Sequence, residues 1–528
     1  MPLTKDKNFL WIILFCLAIF ILSFLIHWYP IQKKGYPPSI SPEALILARN
    51  LALTGEYKSN NAIGTVLSSE LIKKEGDDSL SYNKLTVVLY SYFFKAFGYN
   101  QTLPLYISLL IYSLVAVILF ILTYRLFNLN IALLQSLIFV FLPIINYSSV
   151  FLAFYEWGVL FFSLGLLFYL ITKKDQKLRF LYLVLAGSFL TAASLARSAF
   201  ILSVFMILVY EFFKHKDYRR IIVLFLPLII GWSLYLVPDI LNNRVNSYIS
   251  DSQQRFGSYG HLFPDPYTFY FAKDEFLNNL EITSADNYEV LIKLGEPVSL
   301  KDRVLMYFAS LIHYPAELLR IIVLGGPLIL ALLIFGLNYL IKNKKDLAKF
   351  FIVWIVGWYL LLIILKTNNG VHLLEIIFPL SLLIALGSYQ IINYIKNSKR
   401  IFLKDKLWVI LFILFLTAHL ILANKWMYHE EYNTSNYLPT KEVADVVKGQ
   451  QIGSDEVIAV NHHPKFPYYL NYFTDKSYIH FGLETIERLL EENKLSQAFE
   501  KYQVKYIIGF GEELSRQIKE QTSVKIID

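Results

Sequence analysis

The stretch Ser41-Pro42-Glu43-Ala44-Leu45-Ile46-Leu47-Ala48-Arg49-Asn50-Leu51-Ala52-Leu53-Thr54-Gly55-Glu56-Tyr57 reads as a short helix with its own start and stop. Ser41 can cap it, Pro42 suits the first helical position, and Gly55 can end it in a left-handed turn. Such a helix is too short to cross a bilayer, yet its Ala, Leu and Ile content lets one face lie on apolar material. The pattern therefore predicts a helix at a membrane surface. Its one acid before the stop, Glu43, stands in the first turn, where the helix dipole favours a carboxylate.

Around this helix the chain is apolar in long runs. Of its 528 residues, 56% are hydrophobic and only 17% charged, and the mean hydropathy is +0.47. Those values describe a polytopic membrane protein and exclude an ordinary water-soluble domain. Residues 9–28 are too long and too continuous for a cleaved signal, and no small-residue cleavage site follows, so they read as a retained first span. Further apolar runs centre near residues 115, 140, 162, 188, 205, 228, 330, 357, 383 and 416, which brings the expected count to about eleven spans.

A net charge of +8 raises the question of a nucleic-acid partner, and the placement of the basic residues answers it. They gather in short connections: Lys173, Lys174, Lys177 and Arg179; Lys214, Lys216, Arg219 and Arg220; Lys342, Lys344, Lys345 and Lys349; and Lys396, Lys399, Arg400, Lys404 and Lys406. The intervening connections carry one basic residue or none. This alternation is a topology signal, not a nucleic-acid surface. It puts the N-terminus in the cytoplasm and places residues 29–100, 238–318 and 427–528 outside. The Lys- and Asn-rich composition fits a prokaryotic plasma membrane. The single cysteine, Cys16, excludes an intramolecular disulfide.

The fold class expected is mainly α, with about eleven transmembrane helices running N-in and C-out, interfacial helices in the first outer loop, and a C-terminal α/β domain. The domains expected are residues 1–426, with outer loops 29–100 and 238–318, and residues 427–528. In the latter, strand patterns at Glu456–Asn461 and Val504–Phe510 alternate with helical ones at Thr440–Lys448, Glu484–Asn493 and Glu512–Glu520.

Span centres are almost free of charge, which counts against a flippase or exporter with a polar path across the membrane. The ionisable residues sit at outer ends instead: Glu156 in Phe154-Tyr155-Glu156-Trp157, Arg197 in Leu195-Ala196-Arg197-Ser198, and His372 in Asn369-Gly370-Val371-His372. Glu43 and Lys84 fall on the same side. Glu156, an acid among aromatic and apolar neighbours, needs a partner or water. Glu43 also fits a plain dipole partner, and Lys84 a snorkelling side chain. The pair His462-His463 is read as a loop, because adjacent histidines do not suit one tetrahedral ion.

This order of features resembles the C-type glycosyltransferases (GT-C), and among them the branch of protein O-mannosyltransferases and the aminoarabinose transferases that modify lipid A. The resemblance lies in Pro42-Glu43-Ala44 through Thr54-Gly55, in Lys84-Leu85 through Tyr90, in Phe97-Gly98-Tyr99-Asn100, in Glu156 and in Leu195-Ala196-Arg197. It implies a donor sugar on a polyprenyl phosphate and a lipid, glycan or protein acceptor, with membrane lipids as surroundings. It also implies Glu43 and Glu156 as catalytic acids or bases and Lys84, Arg197 and His372 as phosphate partners. Family members carry an aspartate where Pro42 stands, and both prolines of the family's lysine motif are missing here. That departure leaves a second reading open, a catalytically inactive polyprenyl-phosphate-binding or scaffold protein. No metal-binding motif stands in the sequence, and a divalent cation as cofactor is left open.

Overall fold

The computed structural model describes residues 7–34, 42–57, 63–67, 70–74, 84–150, 154–172, 179–215, 218–241, 326–365, 370–397, 405–434, 437–453, 456–461 and 466–527. His462-His463, Asp77-Asp78 and almost all of the segment 238–318, expected as an outer loop, lie outside them.

The chain opens with α1 (Lys7–Lys34) and α2 (Pro42–Leu53), followed by strands β1 (Ile63–Leu67) and β2 (Glu70–Lys74). The bundle then runs through α3 (Lys84–Phe97), α4 (Leu103–Leu126), α5 (Leu129–Phe141), α6 (Pro143–Val150), α7 (Glu156–Ile171), α8 (Arg179–Ala196), α9 (Phe200–His215) and α10 (Tyr218–Leu241). It resumes with α11 (Gly326–Asn343), α12 (Lys345–Leu365), a 3₁₀ turn at Gly370–Ile376, α13 (Ile377–Asn397) and α14 (Asp405–Thr434). Each of the eleven apolar runs contains helix. Among the described residues, 5 helices are long and apolar enough to cross a membrane: those within α1, α4, α8, α10 and α13.

Local chemistry sets several boundaries. Gly55, at φ +78, ends the helical stretch after α2, and Thr54 Oγ1 donates back to the Asn50 carbonyl at 2.9 Å. Asn128 caps α5, its Oδ1 accepting from the Ile131 N–H at 3.1 Å. The expected surface position of α2 needs correction. Residues 44–50 are buried on every side, because the helix is enclosed between α3 and the C-terminal unit and not laid on a lipid surface.

That unit continues with α15 (Tyr437–Gly449), β3 (Val457–Val460), α16 (Phe466–Thr474), β4 (Ser477–Phe481), α17 (Leu483–Glu491), α18 (Leu495–Lys501), β5 (Val504–Ile508), α19 (Glu512–Gln521) and β6 (Lys525–Ile526). Its sheet has the order β2-β1-β4-β3-β5-β6, with β1, β4, β3, β5 and β6 parallel and β2 antiparallel at one edge. Two strands of this sheet thus come from the segment between α2 and α3.

The seam between sheet unit and bundle is polar and buried. Arg49, 2% exposed, reaches from α2 to the Asn471 carbonyl at 3.1 Å and to Asp475 at 2.6 Å. Tyr99 Oη donates to the Tyr472 carbonyl at 2.9 Å, and Gln101 to the Phe473 carbonyl at 2.8 Å. Burial pushes the Tyr99 phenol up, against the opposing pull of the Arg49 guanidinium.

Candidate functional site

The N-terminus of α7 is set by an uncommon backbone turn. Phe154, fully buried, has φ +57, a left-handed conformation that costs an L-residue roughly 1–2 kcal/mol. Its ring meets Tyr90 edge-on at 6.0 Å. The turn starts α7 two residues later and puts Glu156 in its first turn, where backbone N–H groups and the helix dipole favour a carboxylate.

Glu156 is fully buried. Its Oε1 accepts a 2.5 Å hydrogen bond from Tyr90 Oη, while Oε2 has no hydrogen-bond partner among the described residues. Arg197, at the junction of α8 and α9, lies within electrostatic reach of Glu156 and stacks over the Tyr155 ring at 4.5 Å. Thr86 Oγ1 ties α3 to the same junction by donating to the Ala196 carbonyl at 2.9 Å. Lys84, two residues before Thr86, holds its Nζ 4.8 Å from the Tyr235 ring centroid. Glu156, Arg197 and the start of α3 are therefore gathered at one end of the bundle. Glu43 and His372 lie in α2 and in the 3₁₀ turn, and their side chains lie outside the described residues.

A second buried acid joins this end. Glu375 Oε2 accepts from Trp358 Nε1 at 3.0 Å, its backbone carbonyl accepts from Ser203 Oγ at 3.1 Å, and it lies within electrostatic reach of Tyr155. The sequence reading leaves Glu375 unmarked. It stands three positions after His372 inside an apolar run, and an acid isolated in that way is the signal that finds it.

Behind Glu156 the bundle holds further polar groups. The side chains of His27, Ser108, Tyr112 and Ser148 are buried there. Tyr112 sits beside Ser148, edge-on to His27 at 6.4 Å, and within electrostatic reach of Glu156. Tyr112, with His27 and Ser148 beside it, thus sets a buried polar cluster within reach of the carboxylate in an otherwise apolar interior. Among the described residues no group of three or more His, Cys, Asp or Glu side chains is placed to hold a metal ion.

The architecture is that of a membrane-embedded helical bundle with two buried acids and a half-buried arginine at one end, beside an α/β unit. No family model and no curated protein matches the sequence, but solved structures match the fold. An oligosaccharyltransferase of Archaeoglobus fulgidus, in complex with Zn and sulfate, superposes with a TM-score of 0.54 at 11% identity, over 93% of this chain and 67% of that one. AglB from Archaeoglobus fulgidus, an archaeal oligosaccharyltransferase in complex with an inhibitory peptide and a dolichol-phosphate, gives 0.50 at 12% identity, over 93% and 69%. ArnT from Cupriavidus metallidurans in the apo state gives 0.51 at 10% identity, over 99% of this chain and 90% of that one. The chain therefore shares its overall fold with these membrane proteins.

Proposed function

We propose that this protein is a glycosyltransferase that moves a sugar from a polyprenyl-phosphate donor to a lipid, glycan or protein acceptor at the outer face of a prokaryotic plasma membrane. The observation that carries the reading is Glu156: buried, fixed through one oxygen by Tyr90, and with its second oxygen unpaired among the described residues. The fold supports the class, and the dolichol-phosphate of the AglB complex supports the donor. Within the fold we assign the chain to the O-mannosyltransferase and aminoarabinose transferase branch, on its Pro42-Glu43-Ala44 and Leu195-Ala196-Arg197 segments.

In the reaction, an acceptor oxygen attacks the anomeric carbon and forms the new glycosidic bond. The bond from that carbon to the phosphate oxygen breaks, and its electron pair leaves with the carrier phosphate. The acceptor proton passes to a carboxylate, Glu156 or Glu43. Arg197 and Lys84, with His372, meet the charge that develops on the departing phosphate, Arg as a planar fork and Lys as a point charge.

Pro42 favours a second reading, a carrier-binding protein without activity, because it starts α2 where the family carries an aspartate. Transfer of radiolabelled sugar from a panel of polyprenyl-phosphate sugars, by membranes holding the wild type, Glu156→Gln or Glu43→Gln, separates the two. We expect transfer by the wild type and its loss in Glu156→Gln. Loss in Glu43→Gln alone moves the base to α2. A wild type that binds the carrier and transfers nothing sinks the enzyme reading.

A further inference from the structure

The opposite end of the bundle holds a different kind of site. From Glu156 to Tyr169, α7 rises about 20 Å, and at Tyr169 it borders a cavity of about 530 Å³. The cavity lies where α7, α9, α10 and the α11–α12 junction meet, among basic connections. Four basic side chains, Lys214, Arg220, Lys344 and Lys345, line it against two acids, Glu211 and Asp346. Its other walls are apolar or aromatic, Leu126, Leu170, Leu347 and Phe350 among them.

One wall is a fixed charged assembly. Arg220 is 7% exposed and Glu211 1%. Glu211 takes Nε and one Nη of the guanidinium at 3.2 and 3.3 Å, and Tyr169 Oη donates to Glu211 Oε1 at 2.5 Å. A buried ion pair costs desolvation that its mutual attraction seldom fully offsets. Here it anchors an arginine against the cavity wall. Lys214 is tethered loosely to Asp346 at 3.6 Å, and Lys344 Nζ lies 5.9 Å from the Phe127 ring centroid. An anchored guanidinium flanked by lysine ammonium groups over apolar walls suits a phosphate group, held at Arg and neutralised by Lys.

We propose that this cavity binds a phosphate-bearing anion, separately from the transfer site. The phosphate comes either from the headgroup of an anionic lipid in the adjoining leaflet or from a free phosphate in solution. Two arms distinguish the sources, both on the purified full chain. In nanodiscs of equal phosphatidylglycerol and phosphatidylcholine, lipid retained after detergent extraction is weighed by mass spectrometry. In phosphatidylcholine nanodiscs, the melting midpoint is followed as inorganic phosphate is added.

The variant is Lys214→Ala/Lys344→Ala/Lys345→Ala, which leaves the buried pair intact. A preference for phosphatidylglycerol on the order of tenfold, lost in the triple variant, establishes the lipid source. A rise in midpoint with phosphate, absent from the variant, establishes the free one. Arg220→Lys, which keeps the charge but loses the fork, weakens whichever binding is found. Wild type and triple variant alike in both arms overturns the site.

Discussion

Tyr90 Oη stands 2.5 Å from Glu156 Oε1 where both side chains are fully buried, so the hydrogen bond has no competing solvent. Tyr90→Phe keeps the ring that meets Phe154 at 6.0 Å and Trp157 at 6.3 Å and removes only the donor. A bond to a charged group contributes about 1.5–3 kcal/mol. If the carboxylate is the base, transfer should therefore fall by roughly one to two orders of magnitude while the melting midpoint moves little. A transfer rate equal to that of wild type would remove Tyr90 from any positioning role. At this scale the sequence shows Glu156 and Arg197, because a charge among apolar residues is visible in one dimension. Tyr90, Tyr112 and His27 are invisible there: each is an ordinary interfacial or core residue type until folding brings it beside the acid.

Among the described helices, α11 and α13 come into backbone contact. A Cβ on Gly336 would run into the Leu383 carbonyl, and one on Gly387 into the Leu332 carbonyl. This reciprocal pair lets two backbones touch where lipid supplies no hydrophobic drive for association. Gly387→Ala forces the helices apart and should cost about 1–3 kcal/mol, read as a lower melting midpoint in detergent. Gly449→Ala, with nothing within 4 Å of the added carbon, is the control expected to leave the midpoint unchanged. Helix ends were legible wherever Pro and Gly mark them, as at Pro42 and Gly55. The run near residue 140, which reads as a single span, is two helices, α5 and α6. Pro143 lacks an N–H and holds Leu142 in an extended conformation at ψ 127, so the apolar composition continues while the helix does not.

For the whole molecule the decisive contact is Arg49, which locks α2 to α16 through two backbone carbonyls, an amide and Asp475. Arg49→Ala leaves buried carbonyls unpaired, at about 1–3 kcal/mol in all, since the Asp475 partner is largely exposed and screened. Limited proteolysis should then release the sheet unit faster than from wild type, and equal rates would deny Arg49 this fastening role. The sheet itself was half legible. β3 and β5 are apolar runs between helical patterns, but β1 and β2 make sense only beside β4, a partner the local pattern cannot announce. That pairing has a consequence for biogenesis. Ile63 reaches its parallel neighbour Tyr478 only after roughly 400 further residues have been made, a wait of roughly 20–80 s at ribosomal speed. Throughout that interval the hairpin presents a bare edge, so a ribosome stalled before β4 would leave a nascent chain open to degradation at its own N-terminal segment.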